Sequence, residues 1–394
     1  MTRRHVAVSI IITILLAVFV VGCERQRGRK VTNFEYGSDM LIGGKAFQSI
    51  DYLEKAQKEE PNNPLVYAYL VMAYRRAKDT PAAKVAGKVQ EFERKEKETF
   101  KKLRSMGEDG MKALLKVASG RNRLMTDAID LLVEYGDLAV NPIIDFLTDS
   151  HKRSRYPDLI PFLKDALVKI GNPASDALCA ALNRSDLTPE AEKDLVEVLG
   201  EIGDSSASST LEKCATATDP VVRIESIVAL YKLGKKEYAG RILEALDDPR
   251  VEVRRIASQA LSLINHIPEK VVLKKLNDED PVVRANVIKV LDRKPPKSLK
   301  DRLIKVLSSD LSDEVQNAAA EALKGYGPSI AGELIDMLPK EKEWDVRLRI
   351  VEILEAPEVA KGIDNDGEYK LYEAYQSEKK DIVKDRLAQL LDKL

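Results

Sequence analysis

Three cysteines and three histidines in 394 residues leave little from which to build a metal centre. A structural zinc site takes four ligands, mostly of those two types, so no zinc site and no metal role is expected. Aromatic residues are scarce at 5%, with a single tryptophan, Trp344. An excess of one charge is missing too: 63 Lys and Arg stand against 64 Asp and Glu, a formal charge of −1. A surface for duplex nucleic acid needs a basic excess, so nucleic acid is not an expected partner. No glycine-rich phosphate cradle and no Gly-x-Ser-x-Gly elbow occurs. His151 and His266 fall in expected turns, away from any carboxylate–nucleophile set. No catalytic residue, cofactor or enzymatic activity is therefore expected.

What the chain has in quantity is charge, 32% of its residues, against about a quarter in ordinary globular chains. High but balanced charge suits a body with much solvated helix face. The stretch Asp219–Gly234, DPVVRIESIVALYKLG, shows the unit from which that body is built. Asp219 caps the first free amides of a helix, Pro220 fits its first position and Gly234 ends it. Laid over its neighbours, it gives a column of leucines: Leu167, Leu199, Leu230, Leu261, Leu291, Leu323 and Leu354, at steps of 32, 31, 31, 30, 32 and 31 residues. Such a period predicts an all-α protein, a right-handed α-solenoid of stacked helical hairpins. The longer helices (A) are expected to begin near Arg121, Asp158, Pro189, Pro220, Val251, Pro281, Ser312, Trp344 and Asp381. Shorter helices (B) return between them, and Gly136, Gly171, Gly203, Gly234 and Gly327 close A helices.

Asp-Pro-Val-Val-Arg at 219–223 and again at 280–284, with Arg254 and Arg347 in the same slot, resembles the HEAT-repeat group, and especially the short HEAT-like repeats of phycobilin lyases. The resemblance implies a hydrogen-bonded ladder between repeats, built from the arginine and the motif's aspartate. Glu192 and Gln316 depart from the pattern, and the ladder is expected to break there. Lyase activity belongs to cytosolic pigment chemistry and conflicts with the export signal described next.

Arg3 and Arg4 precede Val6–Val21, a 16-residue run without charge, which is short for a spanning helix. Val20-Val21-Gly22-Cys23 resembles the bacterial lipoprotein signal, which implies cleavage before Cys23 and a lipid on its sulfur. Residues 1–22 are thus expected to be a signal peptide, and 23–40 a polar linker. Glu24 points to the outer membrane, facing the periplasm, if the cell is Gram-negative. Arg25, Arg27, Arg29 and Lys30 follow the anchor directly; they are either a basic aid to membrane attachment or a soluble tether.

Ser49, Leu53, Ala56 and Pro61, then Tyr67, Leu70 and Tyr74, sit where a tetratricopeptide repeat places its packing residues. The resemblance covers about one and a half repeats. The block 41–108 is expected to hold this helical pair and a charged, solvated connecting helix over Glu91–Leu103, with Glu93 opposite Lys97. The repeat body is expected over 109–394.

Four smaller patterns carry alternatives. Asp364-Asn365-Asp366-Gly367 with Glu373 has partial calcium-loop spacing, or is a polar turn before a helix. Cys179 and Cys214 lie on adjacent B helices, as a disulfide or as two small buried residues. Ser377-x-x-Lys380 matches a serine–lysine spacing without its companion motifs. Trp344 is an interface anchor or a staple at a helix start. The expected function is a lipid-anchored envelope scaffold that binds a protein or peptide, with contacts of the kind offered by Asp176, Lys213, Arg241 and Glu244. The alternative is an envelope enzyme or ligand carrier with a pocket between the first block and the solenoid.

Overall fold

A computed structural model describes residues 31–120, 122–291 and 295–394, and every regular element among them is helical. The signal segment, Cys23 and Arg121 lie outside the described residues. The chain divides into two compact units, one reaching residue 177 and one running from 178 to 394.

In the first unit, part of the expected linker is a helix. α1 (Asn33–Ile42) starts on a capping box: Thr32 accepts from the Glu35 amide, and Glu35 accepts from the Thr32 amide. Its buried side is Gly37, Ser38 and Leu41, too small and polar to give an apolar period. A Cβ at Gly37 would come 2.8 Å from Leu53, so α1 lies close against α2 (Ala46–Glu59). Ser49, Leu53, Ala56, Tyr67, Leu70 and Tyr74 are all buried between α2 and α3 (Pro64–Ala77) and their neighbours. After the short α4 (Pro81–Val85) comes α5 (Val89–Ser105), which packs on α3 through Phe92, Glu96, Thr99 and Leu103. It is therefore not a solvated connector. Glu96 is buried because it is paired, to Arg75 at 2.7 Å and to Lys78 at 2.8 Å. The i,i+4 ion pairs on its outer side are Glu91–Lys95 and Arg94–Glu98. α6 (Glu108–Ala118) continues the stack onto α3 and onto α7 (Met125–Tyr135). α8 (Asp137–Thr148), the short α9 (Ser150–Arg155) and α10 (Ile160–Ile170) complete the unit. α11 (Ser175–Leu182) runs across the division.

The second unit repeats one hairpin. Its A helices are α12 (Pro189–Ile202), α14 (Pro220–Lys232), α16 (Val251–Ala260), α18 (Pro281–Lys289), α20 (Asp313–Lys324), α22 (Trp344–Leu354) and α25 (Asp381–Leu391). The B helices between them are α13 (Ser208–Cys214), α15 (Ala239–Ala245), α17 (Glu269–Lys275), α19 (Lys300–Ser309), α21 (Ala331–Met337) and α24 (Asn365–Ser377). A short α23 (Pro357–Ala360) precedes α24. Each A helix packs on the next A helix, and each B helix packs on the A helix that follows it, the stacking of an α-solenoid. Asp219 caps the amides of Val221 and Val222 at 2.8 and 3.0 Å, and Asp280 does the same for Val282 and Val283. Gly203 and Gly234 take φ of 76° and 91° where A helices end, a backbone that side chains resist.

The leucine column is the spine within each unit. Leu167 in the first, and Leu199, Leu230, Leu261, Leu323 and Leu354 in the second, have no exposed surface. Leu291 departs from the rule and is half-buried. α18 has only nine residues, so Leu291 falls beyond its last turn.

Candidate interaction surface

The ladder decides which charges are free to meet a partner. Each ladder arginine turns its NH1 group back onto carbonyls six and five residues earlier. Arg223 donates to Ala217 and Thr218, Arg254 to Asp248 and Pro249, Arg284 to Asp278 and Glu279, and Arg347 to Glu341 and Lys342. Three also reach forward to the next repeat: Arg254 to Asp278 at 3.0 Å, Arg284 to Asp310 at 2.7 Å and Arg347 to Glu378 at 2.7 Å. The expected partner, the motif's aspartate, is therefore wrong. Asp219 and Asp280 are spent on capping, and Asp280 pairs sideways with Arg255 at 2.5 Å. The acid that closes the ladder stands two residues earlier in Asp278.

The ladder breaks at Glu192 and Gln316. Gln316 keeps the backward bond, to the Asp310 carbonyl at 2.8 Å, and its Oε1 is buried without a partner. Burial and the nearby Asp219 carboxylate hold the Glu192 carboxyl above the usual carboxylate range. Arg223 makes its backward bonds alone among the described residues.

Asp176, Lys213, Arg241 and Glu244 are exposed on their B helices. Arg241 is partly used, since it donates to the Ala215 carbonyl at 3.1 Å and lies over the Tyr238 ring. Much of the remaining B-helix charge is matched between repeats, as in Asp247–Lys274, Lys300–Glu333 and Asp336–Lys370.

Sequence reasoning missed a surface on the A helices. Because α18 stops early, a hollow of about 1240 Å³ opens between it and α20, with Ile288, Leu291, Ala318, Ala322 and Pro328 among its walls. Its rim ions are matched, Lys289 with Glu314 at 2.6 Å and Lys324 with Glu321 at 2.5 Å, while Glu358 is exposed. Asn317 also lines a second hollow of about 560 Å³. There Trp344 and Leu348 supply apolar wall, and Asp313, Asp345 and Glu352 supply carboxylates. Arg349 holds the edge together: it donates to Asn317 and Asp313 at 2.8 Å and to Asp345 at 3.0 Å. Trp344 is the first residue of α22 and 41% exposed, so it does not close a staple. Lys380 Nζ lies 4.7 Å from its ring centroid. The early end of α18 was the available signal: its last helical residue is followed within seven positions by Pro295-Pro296.

The chemical motifs resolve into helix structure. Asp364 caps α24 by accepting from the Gly367 amide at 2.9 Å, and Asn365 and Asp366 lie inside the helix, so the calcium-loop geometry is not formed. Among the described residues no group of three or more His, Cys, Asp or Glu is placed to hold a metal ion. Cys179 and Cys214 are free thiols, and burial pushes the Cys214 thiol up to about 11. The Ser377 hydroxyl donates back to Glu373 in its own helix, while Lys380 lies over Trp344. His151 is exposed on α9, and His266 is exposed in the turn before α17. No helix among the described residues is long and apolar enough to cross a membrane.

Residues 175–262 and 269–355 match the family of HEAT repeats, so HEAT repeats are present over most of the second unit. No curated protein matches the chain. Solved structures similar to it include an engineered protein, 18% identical over 84% of this chain and 98% of that one, with a TM-score of 0.42. YibA of Escherichia coli is 18% identical over 68% of this chain and 97% of that one, with a TM-score of 0.47. Human deoxyhypusine hydroxylase is 17% identical over 68% and 98%, with a TM-score of 0.27. None is close enough to transfer a fold or an activity, and the fold rests on the helices themselves.

Proposed function

We propose that the protein is a lipid-anchored, non-catalytic scaffold of the cell envelope that binds a protein or peptide partner on its repeat surface. The observation that supports it most is the HEAT-repeat match over 175–355, joined to helices whose buried leucines and ladder arginines hold successive hairpins in fixed register. Repeats of this kind present long surfaces and bind by shape and charge. The anchor is read from the first residues: Cys23 carries the lipid, and the body lies outside the cytosol. Positioning a partner near a membrane is then the work of the molecule.

Two measurements test this. Radiolabelled palmitate is expected to label the protein and to be lost in Cys23→Ala, with the variant moving from the membrane to the soluble fraction. Retention of Met1 on the mature protein sinks the anchor. Photo-crosslinkers at Lys213 and Glu244 in the membrane-anchored protein are expected to trap a discrete protein species. Co-purification of a small molecule, with no trapped protein from either position, sinks the scaffold reading.

A further inference from the structure

The A-helix surface of the second unit has the composition of a site for a basic, partly apolar peptide. Three carboxylates, Asp313, Asp345 and Glu352, line the hollow beside Trp344, against one arginine. Arg349 is shared among them: it donates to Asp313 and Asp345 as well as to Asn317, so one guanidinium serves two of the three carboxylates and leaves Glu352 outside its reach. Asp313 is 83% exposed despite its bond to Arg349. Glu352 is a distant second partner of Arg386, at 4.0 Å, while Glu355 holds that arginine at 2.6 Å. Three carboxylates thus stand against the Arg349 guanidinium and the Lys380 ammonium over the ring, an excess of one acid next to an exposed indole.

Indole faces attract Lys and Arg cations, and exposed tryptophans anchor interfaces. The chain itself supplies a demonstration, with the Lys380 ammonium over this ring. Through Asn317 the hollow meets the larger apolar one, where Leu291 is left half-buried. Glu358 adds an exposed acid at the wall of that second hollow.

Resting on the scaffold reading, we propose that this surface docks a segment of a partner protein that places aliphatic side chains over Leu291 and an arginine or lysine on Trp344 between Asp313 and Glu352. Charge complementarity selects the basic residue, and the apolar hollow selects its neighbours. Acidic peptides are repelled by the same carboxylates.

Trp344 is the only tryptophan, so its fluorescence reports this site in the full-length protein. The probe is a short acetylated peptide with a Leu-rich centre and flanking arginines. It is expected to change the Trp344 emission saturably and to lose affinity in higher salt. The same peptide with glutamates in place of the arginines is expected to leave the emission unchanged. Asp313→Asn with Glu352→Gln, both at exposed carboxylates, is expected to weaken binding about three- to tenfold, the range for two exposed ion pairs. Lys380→Ala removes a competing cation and is expected to tighten it. Silent emission up to about 1 mM peptide, or an affinity indifferent to the double substitution, overturns the proposal. If the peptide fails while crosslinkers at Lys213 or Glu244 still trap a partner, the scaffold reading stands and this docking surface falls.

Discussion

Leu230 and Leu291 occupy the same column of the repeat, yet the structure gives them different weights. Leu230 has no exposed surface, whereas Leu291 is half-buried beside two hollows. Truncating a fully buried leucine to alanine costs about 2–5 kcal/mol, because the lost transfer energy is joined by an unfilled cavity. At Leu291 about half the transfer term is already forfeited, and a hollow that exists beforehand adds no new cavity penalty. The expected costs are therefore about 3 kcal/mol for Leu230→Ala and about 1 kcal/mol for Leu291→Ala. For a unit of this size, 1 kcal/mol moves Tm by about 2–4 °C. Leu230→Ala should then lower the Tm of the second unit by about 6–12 °C, and Leu291→Ala by about 2–4 °C. Differential scanning calorimetry of the full chain resolves the two cases, with far-ultraviolet circular dichroism confirming that the helices are retained before the transition. Equal losses at the two positions would refute the reasoning, because they would mean that Leu291 is packed like its counterparts and that the flanking hollows are closed in solution.

Two further outcomes follow from close approach and from charge. A Cβ at Gly200 would stand 2.8 Å from Ala229 Cβ and 2.9 Å from its Cα, so Gly200→Val is expected to force α12 and α14 apart at about 1–3 kcal/mol; Gly240→Ala, with open space around it, should be neutral or stabilising by up to about 1 kcal/mol, and both are read by thermal denaturation. Below about pH 4.5 the second unit should lose stability: the bond from Arg255 holds the Asp280 carboxyl below its ordinary value, and the bond from Arg347 does so for Glu378. Carboxyls depressed in the folded state stabilise it above their unfolded values and stop doing so as pH falls through the folded ones. Arg347→Leu should make the acid limb of a urea-stability profile shallower, and an unchanged limb would show that the Glu378 pair contributes nothing.

The repeat was legible because its signals are local and recur. Asp-Pro or Thr-Pro starts and glycine stops act within one helix and place the A helices at Pro189, Pro220 and Pro281, while the recurring period places those at Val251, Trp344 and Asp381, where they are observed. The misses came where packing used residues outside the apolar alphabet. Gly37 and Ser38 on α1 bury without hydrophobicity, and Glu96 on α5 buries because Arg75 and Lys78, some twenty residues away, neutralise it. Such partners have no fixed spacing to read. The Trp344 surface was hidden for the same reason, since Asp313, Asn317 and Arg349 meet across two helices. Trp344 itself stood out in the sequence, but its exposure did not.

The ladder acid was misassigned for a more instructive reason. In Asp278-Glu279-Asp280 the aspartate beside proline is the conspicuous one, but it caps its own helix and accepts from Arg255, the neighbour of the ladder arginine, not from Arg254 itself. Asp278 does two jobs instead: its carbonyl accepts from Arg284 in its own repeat, and its carboxylate accepts from Arg254 in the previous one. Asp310 repeats the arrangement, with its carbonyl on Gln316 and its carboxylate on Arg284. One residue per turn thus joins two repeats, so a substitution there unlinks neighbours rather than unfolding a helix. At the α20–α22 junction Gln316 is too short to send that link forward, and Arg349 ties the helices instead through Asn317 and Asp313. That tie forms one edge of the Trp344 hollow, so a ligand that competes for Asp313 acts directly on the contact that replaces the ladder.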